Sequence, residues 1–199
     1  MQRTSTAYPT NQPETIARLA TAYDRLREDA HSEALELFAE VLDTHTTRKF
    51  FLHWYWAMYA KLGLCDAWLA AGNLRKARTE AERFREAASS TAEPNLQALA
   101  WDAQARVAMA AKDWKNAEAH IAQALAILDQ FEIPTTAWRI HATRCALYRH
   151  AKDERAAETH RARAEAIVLG LAESFARGEP LREAFLQSAP VRQVRRRKS

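Results

Sequence analysis

The chain has 199 residues, of which only four are glycine and six are proline, and 27% of its residues are charged. Its formal net charge is +4, but the last eight residues carry five basic side chains, and subtracting these five leaves −1 for residues 1–191. A general attraction of the whole surface to nucleic acid is therefore not supported.

The first segment, residues 1–13, is polar and is expected to be disordered. It lacks the apolar stretch of a secretory signal. No run in the chain approaches the roughly eighteen apolar residues that a membrane-spanning helix needs. We therefore expect a soluble, cytoplasmic protein that does not insert into a membrane.

Helices make up the predicted structure from residue 14 onwards. Scarce Gly and Pro and frequent Ala, Leu, Glu, Arg and Lys favour helix, and no alternating run of Val, Ile or Thr indicates a strand. The apolar spacing predicts an all-α fold with helices at 14–29, 31–44, 48–71, 73–89, 95–111, 113–131, 135–151 and 153–175, and a short one near 180–187.

Six aromatic residues are concentrated at the start of the third predicted helix, in the window FFLHWYWAMY: Phe50, Phe51, Trp54, Tyr55, Trp56 and Tyr59. At about 100° per residue these rings spread around most of the helix. A helix that is apolar on nearly all sides is buried on several of them. We expect most of these rings to pack between the first helix pair and the next repeat.

A repeat with a constant spacing organises the rest of the chain: AAGNLRKAR, AAKDWKNAE and HAKDERAAE begin at Ala70, Ala110 and His150, and HSEALELF belongs to a weaker copy. In each regular copy a polar pair ends one helix and supplies an Asn or Asp that caps the next: Gly72-Asn73, Lys112-Asp113 and Lys152-Asp153. Small residues recur where paired helices must approach closely: Cys65, Ala105 and Cys145 before the turn, and Ala77, Ala117 and Ala157 after it.

This pattern resembles the tetratricopeptide repeat, whose signature includes a Trp, a Leu-Gly pair, a Tyr, an Ala, a Phe and a later Pro. The matching residues include Leu64, Trp68, Gly72, Ala77, Trp101, Ala105, Ala117, Tyr148 and Ala157. The spacing from Ala70 to Ala110 makes each copy longer than the family's usual repeat, and it is similar to the long-helix variety found in the C-terminal region of large bacterial signalling and regulatory ATPases. The resemblance implies a right-handed superhelical array of about four antiparallel helix pairs with a short C-terminal helix, over residues 14–188. Residues 189–199 are expected to form a basic, disordered tail.

The resemblance also implies a function, because the first helix of each pair in such an array lines a concave groove that holds a peptide or a helix. The partner-binding residues implied for this chain are Tyr59, Asp66, Leu69, Asp102, Arg106, Met109, Arg139, Arg149 and His150. We therefore expect a non-enzymatic module that binds a protein or peptide partner. Ordinary exposed helix residues explain the same positions equally well.

Two other functions stay open at this point. A small effector bound within the superhelix would make the chain a sensor domain. The basic tail would allow weak association with nucleic acid through charge alone. Self-association into a homo-oligomer is favoured if the first helix pair is uncapped.

The sequence predicts no catalytic, cofactor or metal site. No two of the seven histidines lie four residues apart on one helix face, so we interpret them as surface or packing residues. The chain lacks a Gly-x-Ser-x-Gly motif and a glycine-rich phosphate loop. Cys65 and Cys145 have no Cys-x-x-Cys spacing and are expected to pack in the core rather than form a disulfide or hold zinc.

Overall fold

The computed structural model describes residues 12–47 and 53–196, and within these ranges all regular structure is helical, which confirms the predicted all-α class. The helices are α1 (Gln12–Arg27), α2 (His31–Thr47), α3 (His53–Ala70), α4 (Leu74–Ser89), α5 (Pro94–Ala110), α6 (Trp114–Leu128), α7 (Pro134–His150), α8 (Glu154–Glu173), α9 (Pro180–Gln187) and α10 (Ala189–Arg195). None of them is long and apolar enough to cross a membrane. The expectations for residues 1–11, for Phe50 and Phe51, and for residues 197–199 lie outside the described residues.

The chain divides into two compact units, Met1–Glu80 and Ala81–Ser199, and the boundary falls within α4. This division was not predicted, since the repeat pattern indicated one repeat domain over residues 14–188. In unit 1, α1 packs on α2 and α2 packs on α3. In unit 2, α5 packs on α6 and α7 packs on α8, so that consecutive helices form pairs in both units.

The turn inside each helix pair has one residue in the left-handed region: Asp29 (φ 59°), Gly72 (72°), Lys112 (60°) and Lys152 (61°). The N–H of the next residue then donates to the carbonyl five residues earlier, as from Asp113 to Ala108 at 2.8 Å and from Asp153 to Tyr148 at 3.0 Å. This is the Schellman closure of a helix C-terminus. The same backbone conformation therefore recurs once in each regular repeat, at positions 72, 112 and 152.

The residue that closes one helix also caps the next. Side-chain oxygens of Asn73, Asp113 and Asp153 accept hydrogen bonds from backbone N–H groups three residues later, at 3.1, 3.2 and 3.0 Å. Each such cap stabilises a helix by about 1 kcal/mol. In the weaker first copy Ala30 holds this place, and its side chain has no oxygen with which to cap α2.

The core of unit 1 lies between α1, α2 and α3. Phe38 is fully buried, and its ring meets that of Tyr23 edge-on at a centroid distance of 4.9 Å. Gly63 of α3 lies directly against the Phe38 ring, because a Cβ added to it would be 2.3 Å from two ring carbons. The absence of a side chain at this position lets α3 and α2 approach closely.

In unit 2 the core joins α5, α6 and α7 through Ala98, Ile121 and Ile140, all of which are buried. The small residues predicted at the helix contacts are also buried, among them Ala105 and Ala117. Overpacking at such positions is destabilising, which explains why both are alanine.

The C-terminal end of unit 2 holds two short helices. α9 coincides with the helix predicted at 180–187. Residues 189–195, which we expected to be disordered, instead form α10, and its Val191 and Val194 are buried in a cluster with Ala164 and Val168 of α8. The two valines are three residues apart and so share one helix face, a pattern that is masked in the sequence by the surrounding basic residues.

Candidate functional site

Helix α7 is packed against three neighbours, α5, α6 and α8. Its Trp138, Ile140, Cys145 and Leu147 are buried. One strip of the helix stays exposed and consists of Thr135, Arg139, Ala146 and His150. Two half-buried residues, Ala142 and Arg149, border this strip. The four exposed positions fall within roughly 60° on a helix of 3.6 residues per turn. We call the helix face formed by these six residues the α7 strip. It brings together three of the predicted binding residues, Arg139, Arg149 and His150.

Each of these three side chains is held differently. The Arg139 guanidinium lies over the ring of its neighbour Trp138, 4.8 Å from the ring centroid. The Nε of Arg149 is buried and has no hydrogen-bond partner among the described residues. The His150 ring stacks on Trp114 of α6, with centroids 3.4 Å apart and planes inclined by 14°.

The predicted binding residues of α5 are less open. Asp102 is only 3% exposed, which corrects the expectation that it faces a partner. Its Oδ2 accepts a hydrogen bond from Nε of Arg106 at 2.9 Å, so two of the predicted binding residues pair with each other. Oδ1 of Asp102 is buried without a hydrogen-bond partner in the described part of the chain. Met109 is half-buried and packs against the core of α5, α6 and α7.

The remaining three predicted residues belong to unit 1: Tyr59, Asp66 and Leu69, all half-buried. Tyr59 packs against the unit 1 core, its backbone carbonyl accepts from the Tyr23 hydroxyl at 2.8 Å, and its hydroxyl lies 3.2 Å from that of Tyr55. The aromatic ring that we predicted as a partner anchor is therefore engaged within unit 1. Trp56 packs against the same core, as expected for most of the aromatic window.

A histidine pair that was not predicted from the sequence lies between α7 and α8. Nδ1 of His141 lies 3.0 Å from Nδ1 of His160, so one ring donates and the other accepts when both are neutral. Burial, with smaller contributions from Arg163 and His160, lowers the pKa of His141 to about 4. Burial, Arg144 and Arg163 lower the pKa of His160 as well.

Comparison of equivalent positions in neighbouring repeats indicates this pair, whereas the spacing of histidines along one helix does not. Trp101 and His120 hold the places of His141 and His160 in the preceding repeat, and their rings also stack, with centroids 5.6 Å apart. Equivalent positions of the two helices in a pair therefore face each other in both copies.

A polar network extends from the histidine pair across three helices. The His160 ring stacks on Tyr148 at 5.5 Å, and the Tyr148 hydroxyl accepts a hydrogen bond from Nη2 of Arg144 at 2.8 Å. Arg144 also forms an ion pair with Glu118 of α6 at 2.5 Å. This network engages the central arginine of α7 in contacts within unit 2.

Two open clefts lie elsewhere on unit 2. One is lined by Arg85, Ser89, Gln97, Ala100 and Trp101, and the other by Asp153, Arg155, Ala156, Thr159 and His160. Across residues 12–47 and 53–196, no group of three or more His, Cys, Asp or Glu side chains is arranged to hold a metal ion. Cys65 and Cys145 are both buried, and burial raises the pKa of the Cys145 thiol.

Comparison with known proteins finds no protein-family model that matches the chain and no curated protein that matches it.

Proposed function

We propose that this chain is a non-enzymatic interaction module that binds a peptide or a helix of a partner protein. The observation that carries the proposal is the α7 strip. Three neighbouring helices hold α7 in place, yet Arg139, Ala146 and His150 remain exposed in one row. A rigid helix face binds a peptide or a second helix without first having to be ordered, which favours affinity.

The repeated turns support an assignment of these helix pairs to long tetratricopeptide-like repeats. The left-handed residue, the Schellman closure and the capping side chain recur together, once in each regular repeat. In repeat proteins each copy presents an equivalent face, and partners bind across these faces. We propose a role for the chain in a bacterial signalling or regulatory system only because its sequence resembles the long repeats of bacterial signalling and regulatory ATPases.

A bulky side chain in the middle of the α7 strip tests this function. Peptides of about 16 residues, long enough to follow α7 over its length, are selected from a random displayed library on the full chain. Ala146→Trp should weaken binding of the selected peptides by at least about tenfold, because it places a large ring where the ligand backbone lies.

The matched control is Ala162→Trp, which adds the same ring to an exposed alanine of α8. It should leave peptide binding unchanged. Failure to select any peptide, or equal binding by both variants and the parent chain, contradicts the proposed function.

A further inference from the structure

Helix α7 has an unusual charge pattern, since its sequence PTTAWRIHATRCALYRH contains three arginines and no acidic residue. Arg144 is paired with Glu118 and bonded to Tyr148. Arg139 and Arg149 have no carboxylate partner among the described residues: Arg139 contacts the Trp138 ring, and Nε of Arg149 has no acceptor. Two positive charges of α7 are thus left without an ion pair in the described part of the chain.

Both of these arginines lie on the α7 strip. They are ten residues apart, which corresponds to about 15 Å along the axis at 1.5 Å per residue. Between them along the same side lie Ala142, which is half-buried, and Ala146, which is exposed. The strip therefore has a floor of two small side chains and a cation near each end, so a ligand backbone can approach α7 closely while its side chains reach the arginines.

We propose that the α7 strip binds an acidic segment of a partner protein, which presents two carboxylates about 15 Å apart to Arg139 and Arg149. This inference rests on the proposed function and specifies the chemistry of its partner. In a helical ligand, acidic residues about eleven positions apart have this separation and lie on one face. An ion pair near each end of the strip sets the register of the ligand.

A protein segment fits this surface better than a nucleic acid does. Proteins that hold a single strand combine a continuous basic groove with aromatic rings on which bases stack. Here two alanines separate the arginines, and the aromatic ring next to Arg139, Trp138, is only 6% exposed. Discrete carboxylates match two separated cations, whereas a continuous row of phosphates would meet alanine between them.

The peptides selected on the full chain provide the test. They should be enriched in Asp and Glu, with two acidic positions at a fixed separation. Arg139→Gln and Arg149→Gln should each weaken binding of a selected peptide about fivefold, and more when combined, and the affinity should fall with added salt. Arg155→Gln, which neutralises an exposed arginine of α8, should have no effect.

A charge exchange separates recognition from general attraction. Arg139→Glu should reject the acidic peptide and recover binding when the facing acidic residue of the peptide is replaced by Lys. The inference is overturned if the peptides are neutral or apolar and lose binding with Ala146→Trp but not with the arginine variants. In that outcome the proposed function is retained, and only the acidic character of the partner is rejected. Displacement of the acidic peptide by a single-stranded oligonucleotide in an Arg139-dependent manner also overturns it, in favour of nucleic acid.

Discussion

Two imidazole rings, those of His141 and His160, share one hydrogen bond between α7 and α8, with Nδ1 atoms 3.0 Å apart. His141 is only 4% exposed, and its folded pKa of about 4 lies below the usual value of 6.5. The unfolded chain therefore binds a proton more readily than the folded chain does. The stability contributed by this group is complete above about pH 6.5 and is lost as the pH falls towards 4.

We expect the free energy of unfolding to fall by about 2 kcal/mol between pH 7 and pH 4.5 through this group. Urea unfolding of the full chain at the two pH values measures the change. His141→Gln should remove most of the difference. His150→Gln, which replaces an exposed ring, should retain it; a His141→Gln chain with the pH dependence of the parent would show that another group is responsible.

A second residue with a specific packing role is Gly63. An alanine there would place its Cβ 2.3 Å from carbons of the buried Phe38 ring. Alanine favours a helix by up to about 1 kcal/mol over glycine, but overpacking of this kind costs about 1 to 3 kcal/mol. Gly63→Ala should therefore destabilise the chain in urea unfolding.

The matched control for Gly63→Ala is another helical glycine. Gly170 lies in α8, and a Cβ added to it has no neighbouring atom within 4 Å. Gly170→Ala should stabilise the chain by about 0.5 to 1 kcal/mol. If both changes stabilise the chain, helix propensity rather than the contact with Phe38 decides the effect.

At the scale of secondary-structure elements, two turns within the helix pairs hold a lysine in a strained backbone conformation that a glycine would adopt without strain. Lys112 and Lys152 adopt φ values of 60° and 61°, where glycine is preferred, and the equivalent residue in the repeat before Lys112 is Gly72. Lys112→Gly and Lys152→Gly should each raise the free energy of unfolding by about 0.5 to 1 kcal/mol, because relief of the strain exceeds the greater freedom of glycine in the unfolded chain. Thermal and urea unfolding check this expectation.

The opposite change serves as the control. Gly72→Ala places a side chain at φ 72° without any steric contact within 4 Å. The substitution therefore changes only the energetic cost of the left-handed backbone conformation. It should destabilise the chain by about 1 kcal/mol. A stabilising effect of Gly72→Ala would contradict the strain argument for all three turns.

These turns show what the sequence could predict. The polar pairs at Gly72-Asn73, Lys112-Asp113 and Lys152-Asp153 indicated both the helix ends and the caps, because turn and cap chemistry depends on neighbouring residues alone. Side-chain partners across helices were harder to predict. The burial of Asp102 and the pairing of His141 with His160 depend on how facing helices are packed, and periodicity along one helix does not contain that information.

At the scale of the whole molecule, one position of the repeat shows how the array ends. Ile121 is buried in the core of unit 2, and the equivalent residue of the next repeat is Arg161. Arg161 is 3% exposed and bonds to Glu158 and Glu165 and to the carbonyl oxygen of Val194 in α10. An apolar residue that packs against the next helix pair is thus replaced by a cation that binds a terminal helix. The hydrogen bond from Arg161 therefore helps to attach α10 to α8.

Val191 of α10 is 1% exposed, and its burial provides the apolar part of this contact. Val191→Asn should leave a polar amide in an apolar cluster, lower the free energy of unfolding by about 1 to 3 kcal/mol, and release α10 from α8. Trypsin should then cleave after Arg192 and Arg195 several times faster than in the parent chain, since proteolysis follows local opening. Gln193→Asn changes an exposed residue of the same helix and should leave the cleavage rate unchanged. Equal cleavage of all three chains would mean that α10 does not depend on Val191 for attachment.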